Sequence, residues 1–372
     1  MKRIAVLASH PIQTLSPWLR ALAQRVDLTV YYARRLDAHS QGRGFGEDFQ
    51  WDVDLLAGYR CVFGMRALLD CVKAQAVDAV VVCGWARREY WMAVLACRRS
   101  GVAVLVRGDG QLLGPRARWK KRVKSLLWPY MLRTFDGFLV VGRHMRAYLR
   151  RYRVPSSLCF ASPHCIDNQR FAAAAEVARG HRPELRAQWD IPAGVPLVLY
   201  VGKLNANKRV MDMLYACERL RHKGIPLHAV IVGNGPQYKH LNRSAEISGV
   251  PTTFTGFCNQ SALPAWYDLA DVLVLPSVSE SWGLVVNEAM ACGTPVVVTE
   301  AVACAPDLVK PGVTGEVAAV GDVHSLADAI GRVLMRGKGG SVELALERRI
   351  AKYSPEIAAD GLVAALNRLL PE

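Results

Sequence analysis

Short, continuous apolar runs alternate along the chain with stretches of helix length, and the alternation occurs twice. In the first half the runs are 2–9, 26–32, 78–83, 102–106, 138–141 and 158–161. Each is apolar at nearly every position rather than at every second one, the pattern of a strand buried on both faces, as a parallel sheet requires. The intervening segments are long enough for crossover helices, so the first half predicts a doubly wound α/β domain. A second series follows at 197–201, 229–232, 252–255, 272–275 and 295–298, with helices expected near 210–221, 237–248, 262–269, 284–292 and 325–335. Two Rossmann-like domains in tandem are therefore expected, 1–172 and 173–354, with 172–175 and the polar 179–183 read as their connection. The tail, 355–372, predicts an amphipathic helix that places Ile357, Leu362, Leu366 and Leu369 inward and packs toward the first domain.

Composition narrows the class. With 372 residues, 51% of them hydrophobic, the chain can fill two cores of common size. Its longest charge-free apolar stretches fall short of the roughly 18 residues a membrane-spanning helix needs. Met1-Lys2-Arg3 carries the charge of a signal peptide, but Ser9-His10 interrupts the apolar run too early, so the segment reads as a first strand. The ten cysteines are scattered, without a C-x-x-C pair or zinc-like spacing, and fit small buried thiols in a reducing compartment. The cytoplasm is the default expectation, at the inner face of the membrane if the basic half is used there. Residues 1–170 hold 28 Lys and Arg against 12 Asp and Glu, whereas 171–372 hold 19 against 20. All the excess positive charge lies in the first half, which invites an anionic partner. Nucleic acid ranks low, since no recognition motif accompanies the charge.

Candidate chemistry concentrates where strands of the second half end. The run 272–275 leads through Pro276-Ser277-Val278-Ser279-Glu280-Ser281-Trp282-Gly283-Leu284 into a helix that carries Glu288. Strand-to-helix junctions at carboxyl ends form the ligand crevice of an open α/β sheet, and the helix start offers amides to an anion. Buried carboxylates such as Glu280 and Glu288 require hydroxyl donors or cations, and a sugar or ribose supplies such hydroxyls. After 197–201 comes Gly202-Lys203-Leu204-Asn205-Ala206-Asn207-Lys208, whose Lys203 and Lys208 suit a pyrophosphate. Taken alone this is a solvated turn; beside Gly233-Asn234-Gly235-Pro236 it reads as part of a cleft. The third glycine of the dinucleotide fingerprint is missing, so NAD is not expected.

Together these motifs, with Thr255-Gly256-Phe257 and Gly293-Thr294-Pro295-Val296-Val297, resemble retaining glycosyltransferases of family 4, the group that includes bacterial lipopolysaccharide, capsule and exopolysaccharide enzymes. The resemblance is dense over 196–320 and thinner at Pro163-His164-Cys165-Ile166-Asp167-Asn168-Gln169-Arg170-Phe171, which is similar to the motif at the domain junction. It implies the GT-B fold, two Rossmann-like domains facing a deep cleft, and transfer of a hexosyl group from a nucleoside diphosphate sugar with retained configuration. By resemblance, Glu280 and Glu288 form the E-x7-E motif, with Glu280 near the sugar and Glu288 on the ribose. The amides of Ser281, Trp282 and Gly283 would face phosphate, Leu284 would also belong to the donor site, Lys208 would face the diphosphate, and Phe257 with Cys258 the base. Lys203 stands where arginine is more frequent, which keeps the charge and loses the fork. No cofactor or metal is implied; a UDP-sugar is favoured over a GDP-sugar, with a glycan or lipid-linked acceptor.

The first half departs from that pattern. His10-Pro11-Ile12-Gln13 replaces a glycine-rich turn, and Arg107-Gly108-Asp109-Gly110 stands where a histidine often follows the strand 102–106. His10 and Asp109 are taken as candidate catalytic residues on the acceptor side, beside Glu280 and Lys208, with Arg107 a further candidate there. Asp52-Val53-Asp54 matches a metal-binding D-x-D but reads as solvated acids around an inward Val53. The segment 118–135 mixes Arg118, Lys120, Lys121, Arg122 and Lys124 with Trp119, Leu126, Leu127 and Trp128, as expected either of a helix on an anionic leaflet or of an ordinary helix covering the sheet. Two rival functions stand beside transfer: a nucleotide-sugar epimerase of the same fold, and a non-catalytic sugar-nucleotide-binding protein.

Overall fold

The computed structural model describes residues 1–35, 37–42, 44, 46–112 and 118–370, with the backbone alone for 118–123. Two compact units emerge. One comprises Met1–Asp37, Asp54–Ile166 and Tyr353–Glu372; the other comprises Ala38–Val53 and Asp167–Lys352. The second unit thus includes a 16-residue excursion from the first half of the sequence, a departure from a simple boundary at 172.

In the first unit, strands β1 (Arg3–Ala8), β2 (Asp27–Tyr32), β3 (Arg60–Phe63), β4 (Ala79–Val82), β5 (Ala103–Gly108), β6 (Gly137–Val140) and β7 (Cys159–Ala161) form one parallel sheet in the order β3-β2-β1-β4-β5-β6-β7. Successive side chains enter opposite cores: Ala5, Leu7, Val80 and Val82 pack on one face, and Ile4, Val6 and Val81 on the other. That double burial is why these runs are apolar throughout.

The helix Pro355–Leu369 belongs to the first unit, capped by Ser354, whose hydroxyl accepts from the Ile357 amide at 3.3 Å. Its buried face is Ala358, Ala359, Leu362, Ala365 and Leu366; Ile357, expected inward, is 39% exposed. Small residues win because the helix lies against backbone. A Cβ on Gly361 would come within 1.8 Å of the Ala161 carbonyl oxygen, and the Ala358 carbonyl accepts from Trp18 Nε1 at 3.3 Å and Ser162 Oγ at 2.8 Å.

In the second unit, β8 (Leu197–Val201), β9 (His228–Val232), β10 (Thr252–Gly256), β11 (Val272–Leu275), β12 (Val296–Thr299) and β13 (Gly315–Ala318) form a parallel sheet in the order β10-β9-β8-β11-β12-β13. The stretch read as a connection is helical instead, Asn168–Arg179 followed by Arg182–Gln188. Asp167 caps the first of these through the Arg170 amide at 3.0 Å. Both helices are anchored on Asp268, whose fully buried carboxylate accepts from Arg182 Nε at 2.7 Å and Nη2 at 2.8 Å and pairs with Arg179 at 3.4 Å. Lys338 Nζ donates to the Asp268 carbonyl at 2.7 Å. Paired in this way, the buried charge is tolerated.

Candidate active site

In the second unit the chain steps from β8 outward to β9 and β10, then returns to β11 and steps the other way to β12 and β13. Neighbouring strands β8 and β11 therefore send their crossovers in opposite directions, opening a crevice at their carboxyl ends. Lys203 and Lys208 follow β8, and Glu280 follows β11. The two loops are pinned by the Val278 amide on the Asn207 carbonyl at 2.9 Å, and the Lys208 ammonium forms an ion pair with Glu280 Oε2. These side chains are 22% and 18% exposed, so the pair is reachable yet largely out of solvent. Lys203 is half-buried, and its pKa is lowered by burial and by the neighbouring Lys208 charge. Lys203, Lys208 and Glu280 thus stand on the two loops that flank this crevice.

Beside it starts the helix Leu284–Ala291, which no side chain caps. Gly283 turns the chain into it at φ +94°, and a Cβ there would meet Leu275 and Val302 at 3.0 Å. Its amino end is a ready anion site of fixed geometry. Ser281 is exposed and Leu284 partly buried. The Trp282 side chain, by contrast, is buried, with its indole N–H donating to Asn287 Oδ1 at 2.9 Å and its carbonyl accepting from the Cys304 amide at 3.1 Å. Trp282 anchors the turn.

Glu288, the fifth residue of that helix, is 5% exposed. Its Oε2 accepts from Tyr267 Oη at 2.6 Å. Burial raises its pKa to about 7 against the lowering effects of Tyr267, Gln260 and Arg170. Tyr267, Gln260 and Arg170 carry no local motif that would have marked them. Their role depends on contacts made only in the folded unit.

Gly233 and Gly235 have a packing reason of their own. A Cβ at Gly233 would lie 2.0 Å from the Gly202 carbonyl oxygen, and one at Gly235 2.6 Å from that of Leu204. The loops after β8 and β9 are in backbone contact, with the Leu204 amide on the Asn234 carbonyl at 3.0 Å. Asn234 Oδ1 accepts from the Gly235 amide at 2.8 Å. Pro236, half-buried, follows that turn. Phe257, after β10, packs against Phe49 with centroids 4.2 Å apart and the rings tilted by 32°.

The remaining candidates lie in the first unit. His10 follows β1, its Nδ1 2.8 Å from Ser9 Oγ; burial, then Arg34 and Arg87, lower its pKa to about 4, so it is neutral at pH 7. Asp109 is exposed after β5. Arg107 is buried, donating to Ser162 Oγ at 3.3 Å and the Pro163 carbonyl at 2.8 Å with its guanidinium over Trp18, so it holds structure rather than lining a surface. Asp52 accepts from Ser261, whereas Asp54 accepts from the Leu56 and Ala57 amides at 2.9 and 3.0 Å, so the D-x-D carboxylates have separate partners. Among the described residues, no group of three or more His, Cys, Asp or Glu side chains is placed to hold a metal.

Residues 181–355, which contain the whole second sheet, match the family model of glycosyl transferases, group 1. The full chain shares its architecture with a glycosyltransferase from Rickettsia africae ESF-5, TM-score 0.74 at 13% identity over 100% of this chain and 99% of that one. It likewise superposes on Anabaena Alr3699/HepE in complex with UDP, TM-score 0.75 at 16% identity over 98% and 100% of the two chains. The two-sheet α/β architecture is the GT-B fold. In sequence, an alpha-D-kanosaminyltransferase from Streptomyces kanamyceticus is 30% identical over 255 residues, 67% of this chain and 62% of the relative. The chain thus spans less than two-thirds of that relative's length.

Proposed function

We propose that the protein is a retaining glycosyltransferase that moves a sugar from a nucleoside diphosphate sugar to a hydroxyl of a glycan or lipid-linked acceptor. The observation that carries this reading is the Lys208–Glu280 pair at the switch point between β8 and β11, beside the uncapped start of the helix Leu284–Ala291. The family match over 181–355 supports it. UDP is the first nucleotide to test, because Anabaena Alr3699/HepE, which shares the fold, was solved with it.

In this reading the diphosphate lies between the two lysines and the helix amides. The bond from the anomeric carbon to the phosphate oxygen breaks, and its electron pair stays on that oxygen. The acceptor oxygen bonds the anomeric carbon on the same face and passes its proton to the departing phosphate. Lys208, Lys203 and the helix dipole stabilise the growing negative charge, an electrostatic contribution needing no strong side-chain base. On donor binding, Lys208 shares its charge with phosphate and Glu280 gains freedom to face the sugar. Donor selection by Glu288 through the ribose hydroxyls, and acceptor contacts by His10 and Asp109, belong to the same proposal.

Incubation with UDP-sugars and a hydroxyl acceptor tests it: a glycoside of retained anomeric configuration by NMR is the expected product. Without acceptor, a new epimer supports the rival epimerase, and a thermal shift with no turnover supports the silent binder. A nucleotide at 100 times its Kd stabilises by about 2.7 kcal/mol, enough to read the binding arm.

Membrane contact is a further part of the proposal. The helix Arg118–Leu132 turns Trp128 toward Trp85 and Trp91, with Lys124 over the Trp128 and Tyr148 rings, while Leu126, Leu127 and Tyr130 are 69%, 54% and 65% exposed. The side chains of 118–123 lie outside the described residues. Exposed apolar groups on a helix in a basic unit suit an anionic leaflet. Among the described residues no helix is long and apolar enough to cross a membrane. Cosedimentation with phosphatidylserine vesicles is expected at low salt and should fall steeply by 0.5 M, roughly beyond the range where surface charges remain unscreened; salt-insensitive or absent binding removes this surface.

A further inference from the structure

Among the described residues, four other than glycine have a left-handed backbone: Gln75, Arg153, Asp190 and Arg209. Three of them stand two residues past the end of a helix, after Met65–Lys73, Arg143–Arg151 and Arg182–Gln188, where that conformation is a common way to stop. Arg209, at φ +49° and ψ +42°, does the opposite. It stands at the start of the helix Val210–His222, directly after the 3-10 turn Ala206–Lys208. A residue at that position is ordinarily extended, and a Cβ disfavours the left-handed region.

A fork holds Arg209 there. Its Nε donates to Asp212 Oδ2 at 2.5 Å and its Nη2 to Asp212 Oδ1 at 3.0 Å, and Asp212 is buried. Such a two-pronged charged pair fixes direction as well as distance. The joint also decides what the Asn207 carbonyl can do. Were residue 209 right-handed, 206–208 would run on into Val210–His222 as one helix, and that carbonyl would accept from the Met211 amide four residues on. The left-handed joint breaks the coil, and the carbonyl instead accepts from the Val278 amide at 2.9 Å, the bond that ties the loop after β8 to the loop carrying Glu280. Lys208, held in its turn by its amide on the Asn205 carbonyl at 3.1 Å, meets Glu280 across that tie.

We propose that Arg209 is a positioning residue for Lys208: with Asp212 it maintains a left-handed joint that frees the Asn207 carbonyl for the Glu280 loop and directs the lysine into the crevice. The consequence for ligand binding rests on the proposed donor site, where Lys208 meets the diphosphate. Breaking either half of the fork leaves a residue with a Cβ in a disfavoured conformation that nothing holds. The joint then relaxes toward a right-handed turn, and the lysine turns away from Glu280. Glycine at 209 adopts the left-handed region without strain, so it keeps the joint without the fork.

The experiment has two arms, each run on wild type, Arg209→Ala, Arg209→Gly and Asp212→Asn, with circular dichroism melts as a check on folding. Asp212→Asn keeps the shape of the side chain and loses one prong, since an amide nitrogen cannot accept. In the first arm, a double-mutant cycle of Lys208→Ala and Glu280→Ala is read by denaturant unfolding and needs no ligand. A coupling of about threefold or more in the folding equilibrium is expected in wild type and Arg209→Gly, reduced in Asp212→Asn and lost in Arg209→Ala. In the second arm, calorimetry measures UDP and GDP. The nucleotide that wild type binds should bind about tenfold more weakly to Arg209→Ala, about threefold more weakly to Asp212→Asn, and within about twofold of wild type to Arg209→Gly. Equal losses for alanine and glycine at 209, or wild-type coupling and affinity in both Arg209→Ala and Asp212→Asn, overturn the positioning role while the donor site stands. Failure of wild type to bind either nucleotide, with the coupling as expected, overturns the donor reading and leaves the joint its role.

Discussion

Lys208→Ala is expected to lower kcat by about two to three orders of magnitude and to raise the KM for donor, and Glu280→Ala to lower kcat by a similar factor with a smaller change in KM. The difference follows from where each group acts. In the proposed reaction Lys208 faces a charge that is present in the bound donor and grows as the phosphate departs, so its loss should affect both ground and transition states. Its removal also leaves Glu280, 18% exposed, with its cation gone and a negative charge facing an incoming diphosphate. Glu280 sits on the other loop of the crevice and is held by main-chain contacts: its amide donates to the Ala301 carbonyl at 3.3 Å and its carbonyl accepts from the Ala303 amide at 3.2 Å. Its side chain can therefore change partner without moving the backbone. Loss of one preorganised electrostatic group costs about 10²- to 10³-fold in kcat where charge develops. Lys208→Arg keeps the charge and changes its shape, so an intermediate rate is expected. Steady-state kinetics with a saturating acceptor measures all three. A Lys208→Ala enzyme within a few-fold of wild type removes the ion pair from the proposed chemistry.

The same crevice shows what the amino-acid pattern makes visible. Runs such as 197–201 and 272–275 match β8 and β11 at both ends, because a strand buried on two faces has no polar position to blur its limits. Strands β3 and β13 escape that logic. In β3 the exposed Arg60 and Val62 alternate with partly buried Cys61 and Phe63 at the sheet edge, and β13 carries Glu316, which is kept in place by Arg332 at 3.2 Å and Arg336 at 3.5 Å. The helices of 168–188 were hidden for another reason. Their alanines and arginines gain their meaning from Asp268, 80 residues or more away, and a local pattern cannot register that anchor. In the site, Lys208, Glu280 and Glu288 stood out because charge beside a buried strand end is unusual. Tyr267, Gln260 and Arg170 are ordinary residues locally, and only the tertiary fold places them around one carboxylate.

Glu288→Gln stabilises the protein above neutral pH while weakening donor binding. Burial raises the Glu288 pKa from 4.5 to about 7. The folded chain therefore holds a proton there that the unfolded chain releases between pH 4.5 and 7. Where the native state binds more protons, stability falls as pH rises, so the cost of ionising Glu288 is absent below this window and complete above it. At 1.36 kcal/mol per pKa unit that cost is on the order of 3 kcal/mol. Glutamine has the same shape, accepts from Tyr267 and carries no charge, so the variant avoids the cost and loses the anionic acceptor that the proposed donor site offers to ribose hydroxyls. Several histidines titrate in the opposite sense nearby in pH: burial lowers His10 to about 4 and also lowers His228. Both proteins contain them, so they cancel in the difference between variant and wild type. Lys338, lowered by burial to about 8, changes stability at higher pH and cancels likewise. Denaturant midpoints taken from about pH 4 to about pH 8 should thus give a stability difference near zero at the acid end that grows in favour of Glu288→Gln through pH 7. A difference independent of pH would mean that Glu288 ionises at no cost in the folded protein, and the picture of a desolvated carboxylate kept ready for a ligand would fail with it.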